Sequence, residues 1–395
     1  MPIHSADAPR QFVLFNEGFR PLFLFCGIHA VLSMALWIAM LAGVLELPSL
    51  FDSLAWHQHE MVFGFIGAAI GGFLMAAVPH WTGRAPVRGP LLHLLVGAWL
   101  AGRLAVAFSE IIGALPAVVL DLSFLLILSG VVAREVLASG NRRNVKITIL
   151  LLLLAVANGF FHAGFAGLTD DTAGPSMVVA LFVIAVLVAV IAGRIIPNFT
   201  RNWLAQRGET KLPASWPRLD AAAIALLVLT GLAFAFMPES PFSGALALLA
   251  AAAHGARLAG WRGLATLSEP ILWVLHLGYA WLVIGLALLG LSILTDLTSG
   301  GAALHAIGAG AMGTTVLAVM TRASLGHTGR ELRVSAMIMA AYVLVSLSAI
   351  LRIVAPALGE AVMTAYTLAG LSWIGAYGLF LVVYLPILIR PRVAA

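Results

Sequence analysis

Histidines and a glutamate stand at the start of two hydrophobic segments, where they could bind a metal. Residues 56–60 read Trp-His-Gln-His-Glu, and a second apolar segment opens at His305. In both places the arginine of a Thr-Gly-Arg triplet follows 25 residues after a histidine, Arg84 after His59 and Arg330 after His305. Imidazole is a good ligand for haem iron, copper and zinc. These positions therefore predict a metal or haem site.

The composition indicates what kind of element must carry these residues. Of 395 residues, 62% are hydrophobic and only 10% are charged, and the mean hydropathy is +1.03. Apolar segments of roughly 20 residues span a hydrocarbon layer of ~30 Å as helices, which satisfy their own backbone groups. The chain is predicted to be an all-α polytopic membrane protein with about twelve transmembrane helices. The predicted spans are residues 20–44, 56–78, 91–108, 116–137, 145–167, 177–196, 220–236, 243–259, 271–293, 301–321, 334–354 and 363–388.

The connections between these spans alternate in charge. One set is basic and contains Arg84, Arg142, Arg201, Arg257 and Arg330. The acidic residues of the other set are Glu46, Asp52, Glu110, Asp170, Asp171, Glu239, Asp296 and Glu360. Because basic loops stay in the cytoplasm, both termini are predicted to be cytoplasmic. This asymmetry accounts for the net charge of +5 without a nucleic-acid partner.

Targeting and redox signals are few. The first 18 residues lack the apolar region of a removable signal peptide, so the first helix is expected to direct insertion itself. A single cysteine, Cys26, excludes an internal disulfide.

Similar short motifs recur along the chain. Helices two, six and ten end near Thr82, Thr200 and Thr321, at intervals of 118 and 121 residues. This spacing predicts a single transmembrane domain over residues 1–395, with repeats near 16–137, 145–259 and 271–389. A second alignment pairs His59 with His305, together with Gly64 and Gly310 and Gly67 and Gly313. Both alignments pair helix two with helix ten.

The predicted topology assigns a depth to each histidine. His57, His59, His162 and His305 fall near the outer ends of helices two, five and ten, in one layer. Residues i and i+2 of a helix point about 200° apart, so His57 and His59 are expected to serve two sites, or one of them to support the other. The alternative is that such half-polar rings only lie at the lipid headgroups. His276 lies deeper and is the best further candidate.

Four charged residues fall in the outer halves of the predicted spans: Glu60, Arg103, Asp121 and Arg352. Intramembrane charges are costly and usually have a partner. Either the four pair with one another, or the arginines bind anionic groups such as haem propionates. Glu60 could orient a ligating imidazole or carry protons, which makes it the candidate catalytic residue. No phosphate-binding loop or cysteine-rich metal motif supports a different chemistry.

Several motifs together resemble the NnrS family over nearly the whole chain. They are Gly-Phe-Arg-Pro at residues 18–21, Trp-His-Gln-His-Glu-Met at 56–61, Ile-Pro-Asn-Phe-Thr-Arg at 196–201 and Arg-Ala-Ser-Leu-Gly-His-Thr-Gly-Arg at 322–330. The resemblance also covers residues 158–162 and 275–281. It implies a bacterial inner-membrane protein that contains haem and copper, is associated with denitrification and protects against nitric oxide stress.

On this interpretation nitric oxide, or a nitrosylated metabolite, binds at an open metal position near the outer side of the membrane. The predicted haem ligands are His59 and His305, with Arg103 and Arg352 at the propionates. The predicted copper or second-haem ligands are His57, His162 and His276. If the protein also reduces nitric oxide, it is a haem-copper oxidoreductase and needs an electron donor and a proton carrier, for which Glu60 is the candidate.

Two alternatives remain open at the level of sequence. A polytopic transporter would have the same twelve helices and central charges, and would accumulate its substrate in metal-free vesicles. A metal-handling or assembly factor for denitrification enzymes would neither transport nor consume nitric oxide. The histidines at one depth favour a metal protein over a transporter.

Overall fold

The computed structural model describes residues 13–170 and 172–393, and this part of the chain contains helices but no β-strand. It has eleven apolar helical segments long enough to cross a membrane. The last, Ala336–Ile389, comprises two helices separated at Ala355–Ala361, where Gly359 has a φ of 53°. The twelve helices are α1 Phe19–Leu41, α2 Ser53–Thr82, α3 Pro90–Ala107, α4 Ala114–Ala138, α5 Val145–Phe165, α6 Ala173–Ala205, α7 Pro217–Phe236, α8 Pro241–Gly260, α9 Pro270–Leu294, α10 Gly300–His327, α11 Ala336–Val354 and α12 Val362–Ile389.

The all-α polytopic fold is thus confirmed. The cytoplasmic position of both termini stays a prediction, and Asp171 of the predicted outer loop lies outside the described residues.

Local sequence explains where many of these helices begin. Helices α3, α7, α8 and α9 each begin at a proline, whose fixed φ suits the first helical turn and whose missing N–H is not needed there. Helix α2 begins after Asp52, whose side chain accepts a hydrogen bond from the Ala55 N–H at 2.9 Å. Helix α10 begins after Ser299, which caps it in the same way.

Three helices form the centre of the bundle. The apolar part of α2 is 83% buried inside the protein, and that of α6 and α10 is 61% buried, whereas no other span exceeds 44%. These are the three helices whose ends carry the recurring threonine motifs. The remaining helices surround them and expose aliphatic side chains such as Leu104 and Val119 on the outside of the bundle, as lipid contact requires.

Two of the central helices change their winding part-way along. Residues Glu60–Ile66 of α2 and Ala306–Gly313 of α10 form π-helix, in which each turn takes in an additional residue. Each π segment begins immediately after one of the aligned histidines, His59 or His305. Such segments are rare and occur often at functional sites.

Several predicted boundaries are wrong. Helix α6 was expected to stop before Pro197, but it continues through this proline to Ala205, because one missing hydrogen bond inside a membrane bundle is tolerated. Residues 197–205 of the predicted loop, which include Arg201, are therefore helical. Arg257 was grouped with the basic connections although it falls inside the predicted span 243–259. It lies within α8, where it pairs with Asp220 and is only 3% exposed.

The two ends of the described chain meet at one end of the bundle. The Arg20 guanidinium, at the start of α1, donates to the backbone oxygens of Leu388 and Arg390 at 3.0 and 2.9 Å. The Val13 N–H donates to the Ile389 oxygen at 3.4 Å. Helix α1 packs against α12 along its length. The last helix therefore closes the bundle against the first.

Candidate metal centre

A cluster of polar side chains is buried between α1, α2, α3, α4 and α5. We call it the His59 cluster, and its members are His29, His59, Glu60, Arg103, Asp121, Asn158 and His162. Each of these residues is at most 9% exposed. Burial of so many polar groups in an apolar bundle is expensive unless they satisfy one another or bind a ligand.

Three members of the cluster have the chemistry and spacing of metal ligands. His59 from α2, Asp121 from α4 and His162 from α5 bring one ligand atom each within 4.8 Å of one another. The Asp121 Oδ2 atom lies 3.0 Å from the His59 Nε2 atom and 2.9 Å from the His162 Nε2 atom. Ligands of a tetrahedral ion with bonds of about 2.1 Å stand about 3.4 Å apart. Small side-chain movements would therefore admit an ion.

Asn158 supports these ligands from one turn before His162 on α5. Its side-chain N–H donates to the Asp121 Oδ2 atom at 2.7 Å, and its Oδ1 atom lies 3.0 Å from the His59 Nε2 atom. Amide contacts of this kind fix the orientation of a carboxylate and an imidazole, as outer partners do in metal sites.

Glu60 and Arg103 complete the cluster on the opposite side of His59. The Arg103 Nη1 atom donates to the Glu60 Oε1 atom at 2.5 Å, and its Nη2 atom donates to Asp121. The Glu60 carboxylate also lies 3.2 Å from the His59 Nδ1 atom and 3.0 Å from the His29 Nε2 atom. Both ring nitrogens of His59 therefore contact partners. Two carboxylates against one guanidinium leave one negative charge, which a protonated imidazole or a bound cation would neutralise.

Gly64 makes this arrangement possible. A Cβ atom on Gly64 would lie 2.5 Å from the His29 Nε2 atom and 3.0 Å from the Arg103 Nη1 atom. Its backbone oxygen accepts a hydrogen bond of 3.0 Å from the Trp99 indole. The glycine, inside the π segment, lets two polar side chains approach the helix backbone beside Glu60.

His57 lies in different surroundings from His59. Its ring stacks on Trp37, with centroids 4.5 Å apart and an interplanar angle of 14°. Its electrostatic neighbours are His305 and Arg352. We call His57, His305 and Arg352 the His57 cluster. All three are half-buried.

The members of the His57 cluster are held individually. The His305 Nδ1 atom lies 2.7 Å from the Gly301 backbone oxygen, one turn earlier on α10. The Arg352 guanidinium lies over the Tyr366 ring at 3.9 Å. The Nδ1 atom of His57 is buried without a hydrogen-bond partner among the described residues.

The structure divides the residues predicted from sequence into three places. His59, His162, Glu60 and Arg103 come together in the His59 cluster. Three of the four charges predicted in the outer halves of the spans pair there with one another. His57, His305 and Arg352 form the second cluster. His276 joins neither, because its Nε2 atom lies 2.9 Å from the Thr200 hydroxyl and its ring packs against Gly263.

Sequence reasoning missed two members of the centre. Asp121 was considered only as a charge partner, although an aspartate inside a membrane helix is itself a signal of function. Asn158 was noticed only as part of a family motif.

Comparison with known proteins agrees with this architecture. The sequence model of the NnrS family, described as NnrS protein, matches residues 13–392. No curated protein matches the sequence. Since the family model covers nearly all of the chain, including both histidine clusters, this protein belongs to the NnrS family.

Proposed function

We propose that this membrane protein binds copper at His59, Asp121 and His162, binds haem near His305, and uses them to handle nitric oxide or a derived nitrosyl species. The observation that carries the proposal is the buried His59–Asp121–His162 group. The family resemblance supplies the identity of the cofactors and of the small molecule. The proposed setting is the bacterial inner membrane, with both termini in the cytoplasm.

The donor set supports a transition metal at the His59 cluster. Two imidazoles and one carboxylate suit copper, iron or zinc, and copper(II) is the strongest binder among these divalent ions. The simpler explanation is a cluster that only satisfies its own hydrogen bonds. The convergence of two imidazoles and one carboxylate from three different helices favours a metal site over this explanation.

His305 has the better geometry for a haem ligand. Its Nδ1 atom is bonded to the Gly301 oxygen, which leaves Nε2 as the ligating nitrogen in the orientation common for iron-bound histidine. Arg352, half-buried and stacked on Tyr366, is suited to an anionic propionate. The contacts of His59 and Arg103 favour the metal site over the haem roles predicted from their sequence positions.

The protein's own residues would set the properties of the centre. When bound, the metals supply an open coordination position for a diatomic ligand. Glu60 orients His59 through its Nδ1 atom, which leaves Nε2 for the metal, and Asn158 orients Asp121. Arg103 donates to both Glu60 and Asp121, so Glu60 acts first as an orienting residue. If nitric oxide is reduced, Glu60 is also the acidic group beside His59 that is not a proposed ligand and could carry a proton.

Metal analysis combined with optical spectroscopy tests the proposal. We expect copper in the purified protein, a Soret band that nitric oxide shifts, loss of copper in His162→Ala and loss of the Soret band in His305→Ala. The exposed His93→Ala is the matched control and should retain both cofactors. A folded protein that contains neither cofactor after expression with adequate haem and copper would contradict the proposal.

The same preparation separates the functional alternatives. Consumption of nitric oxide with an artificial electron donor identifies an enzyme. Cofactor binding without consumption identifies a binding or assembly protein. Substrate accumulation by metal-free protein in vesicles identifies a transporter.

A further inference from the structure

A cavity of about 620 Å³ opens at the opposite end of α5 from His162, between α5, α6 and α7. Lys146, at the start of α5, lines it, and the 16 residues from 146 to 162 correspond to about 24 Å of helix. The cavity is therefore separate from the His59 cluster. Its charged lining residues are Arg143, Lys146, Arg194, Arg257 and Asp220.

Asp220 cannot neutralise this group of cations. It accepts a hydrogen bond of 2.6 Å from the Arg257 Nε atom, and Arg257 is only 3% exposed. Gly193 makes room for Arg257, since a Cβ atom there would lie 2.1 Å from the Arg257 Nη2 atom. The Asp220 carboxylate is thus paired with the buried Arg257.

The other three cations converge on the cavity. Arg194 is oriented by the Asn144 side chain, whose oxygen accepts from its Nη1 atom at 2.8 Å. The Arg194 Nη2 atom is buried and has no hydrogen-bond partner among the described residues. Arg143, Lys146 and Arg194 are close enough to repel one another electrostatically. Converging cations with an unused donor are the arrangement that recognises an anion.

The rest of the lining indicates what the anion is attached to. Below the cations the walls are aliphatic and include Ile149, Leu150, Val186, Val190 and Ile224. A cationic rim above an apolar groove at the end of membrane helices matches a phosphate headgroup followed by an acyl chain. A free phosphate would use the rim but would leave the groove empty.

We propose that this cavity binds an anionic phospholipid, with its phosphodiester at Arg143, Lys146 and Arg194 and an acyl chain along Ile149 and Val190. Arg143 and Lys146 are exposed, so they reach the headgroup from the rim. Arg194 is fixed from behind by Asn144 and supplies the inner donor. The lipid would seal the groove between α5, α6 and α7.

Native mass spectrometry of the delipidated full-length protein tests this site with phosphatidylglycerol and the neutral phosphatidylcholine as probes. The test variant is Arg143→Gln/Lys146→Gln. The control, Arg88→Gln/Arg142→Gln, removes the same charge from exposed arginines outside the cavity lining. All four positions are exposed, and the elution volume on size exclusion checks that each variant folds.

We expect wild type and control to bind phosphatidylglycerol at least roughly tenfold more tightly than the test variant does, since each basic residue near an anionic headgroup adds severalfold. Equal binding of the two lipids, or unchanged binding by the test variant, overturns the proposal. Displacement of phosphatidylglycerol by millimolar inorganic phosphate overturns the lipid assignment and identifies a soluble anion instead. None of these outcomes bears on the copper proposal.

Discussion

The two π-helical segments have the same backbone conformation but different side-chain surroundings. Each begins one residue after a histidine, and the two histidines, His59 and His305, are 246 residues apart. The helices that contain them end before Gly83 and Gly329, which are also 246 residues apart and have φ values of 67° and 70°. The local structure of α2 and α10 thus repeats from the first turn to the last.

The neighbours of the two segments differ. Gly64 of the first π segment faces His29 and Arg103, whereas the aligned Gly310 faces the Trp281 ring, to which a Cβ atom would come within 2.8 Å. Asp121 and Asn158 reach His59 from α4 and α5. Glu60 comes from α2 itself, and the aligned residue of α10 is Ala306. The comparison teaches that the recurring motif specifies the shape of a helix, whereas partner helices decide whether a metal can bind there.

The largest effect is expected from Asp121→Asn, which removes a carboxylate charge from the His59 cluster without changing the size of the side chain. It deprives buried Arg103 of one carboxylate and removes a proposed ligand. Breaking a buried ion pair costs about 3–5 kcal/mol, and we expect a loss of that size in the free energy of unfolding together with loss of copper. Chemical unfolding in detergent and metal analysis measure both. The exposed Asp170→Asn should change neither, and an Asp121→Asn protein with full copper would refute the assignment.

Replacing the aligned histidines compares the two regions directly. His59→Ala removes a fully buried ring with three polar partners and should cost about 2–4 kcal/mol and the copper. His305→Ala removes a half-buried ring bonded to one backbone oxygen and should cost about 0.5–1.5 kcal/mol, with loss of the Soret band instead. Identical losses of stability and cofactor in the two variants would show that the regions are equivalent.

The aligned glycines separate packing from chemistry. Gly64→Ala and Gly310→Ala should each lower stability by about 1–3 kcal/mol, because both add a methyl group where there is no space. Only Gly64→Ala should also lower the copper content, since only its methyl group meets His29 and Arg103. Gly308→Ala, which meets nothing within 4 Å, is the control. Copper loss in Gly310→Ala would mean that general destabilisation releases the metal.

The smallest effect is expected at the helix ends. Gly83→Ala places an L-residue at positive φ with nothing nearby and should cost about 1 kcal/mol. Gly329→Ala should cost more, because its Cβ atom would also lie 2.7 Å from the Val393 backbone oxygen. Thermal unfolding of the two variants measures the difference, and a larger cost at Gly83 would contradict this explanation.

The presence of the helices and the similarity between α2 and α10 could be predicted from sequence. Long apolar segments leave the backbone no alternative to helix in lipid. The similarity of α2 and α10 is visible from histidines and glycines at matching positions. The chain's continuation through Pro197 could not be predicted, since tolerance of a proline depends on the packing around it.

The centre itself was predicted only in part. His59, Glu60 and His162 were selected because their residue types bind metals or protons. Their convergence with Asp121 and Asn158 depends on how α4 and α5 turn against α2, which no local pattern encodes. The π segment makes this convergence still harder to predict. An additional residue in one turn rotates the residues after it relative to a regular helical wheel.

The contact between the two ends of the chain has a consequence for how the protein is made. Helix α1 is synthesised long before α12, yet the Arg20 Nη1 atom finds its acceptors in residues 387–390. Only the Arg20 Nε atom has a local acceptor, the Glu17 carboxylate at 3.0 Å. Until α12 is synthesised, water or lipid headgroups must solvate the Arg20 Nη1 group, and α1 lacks the helix against which it packs. Once α12 is synthesised it can pack against α1. A product truncated before α12 would therefore lose the contact that joins the first and twelfth helices.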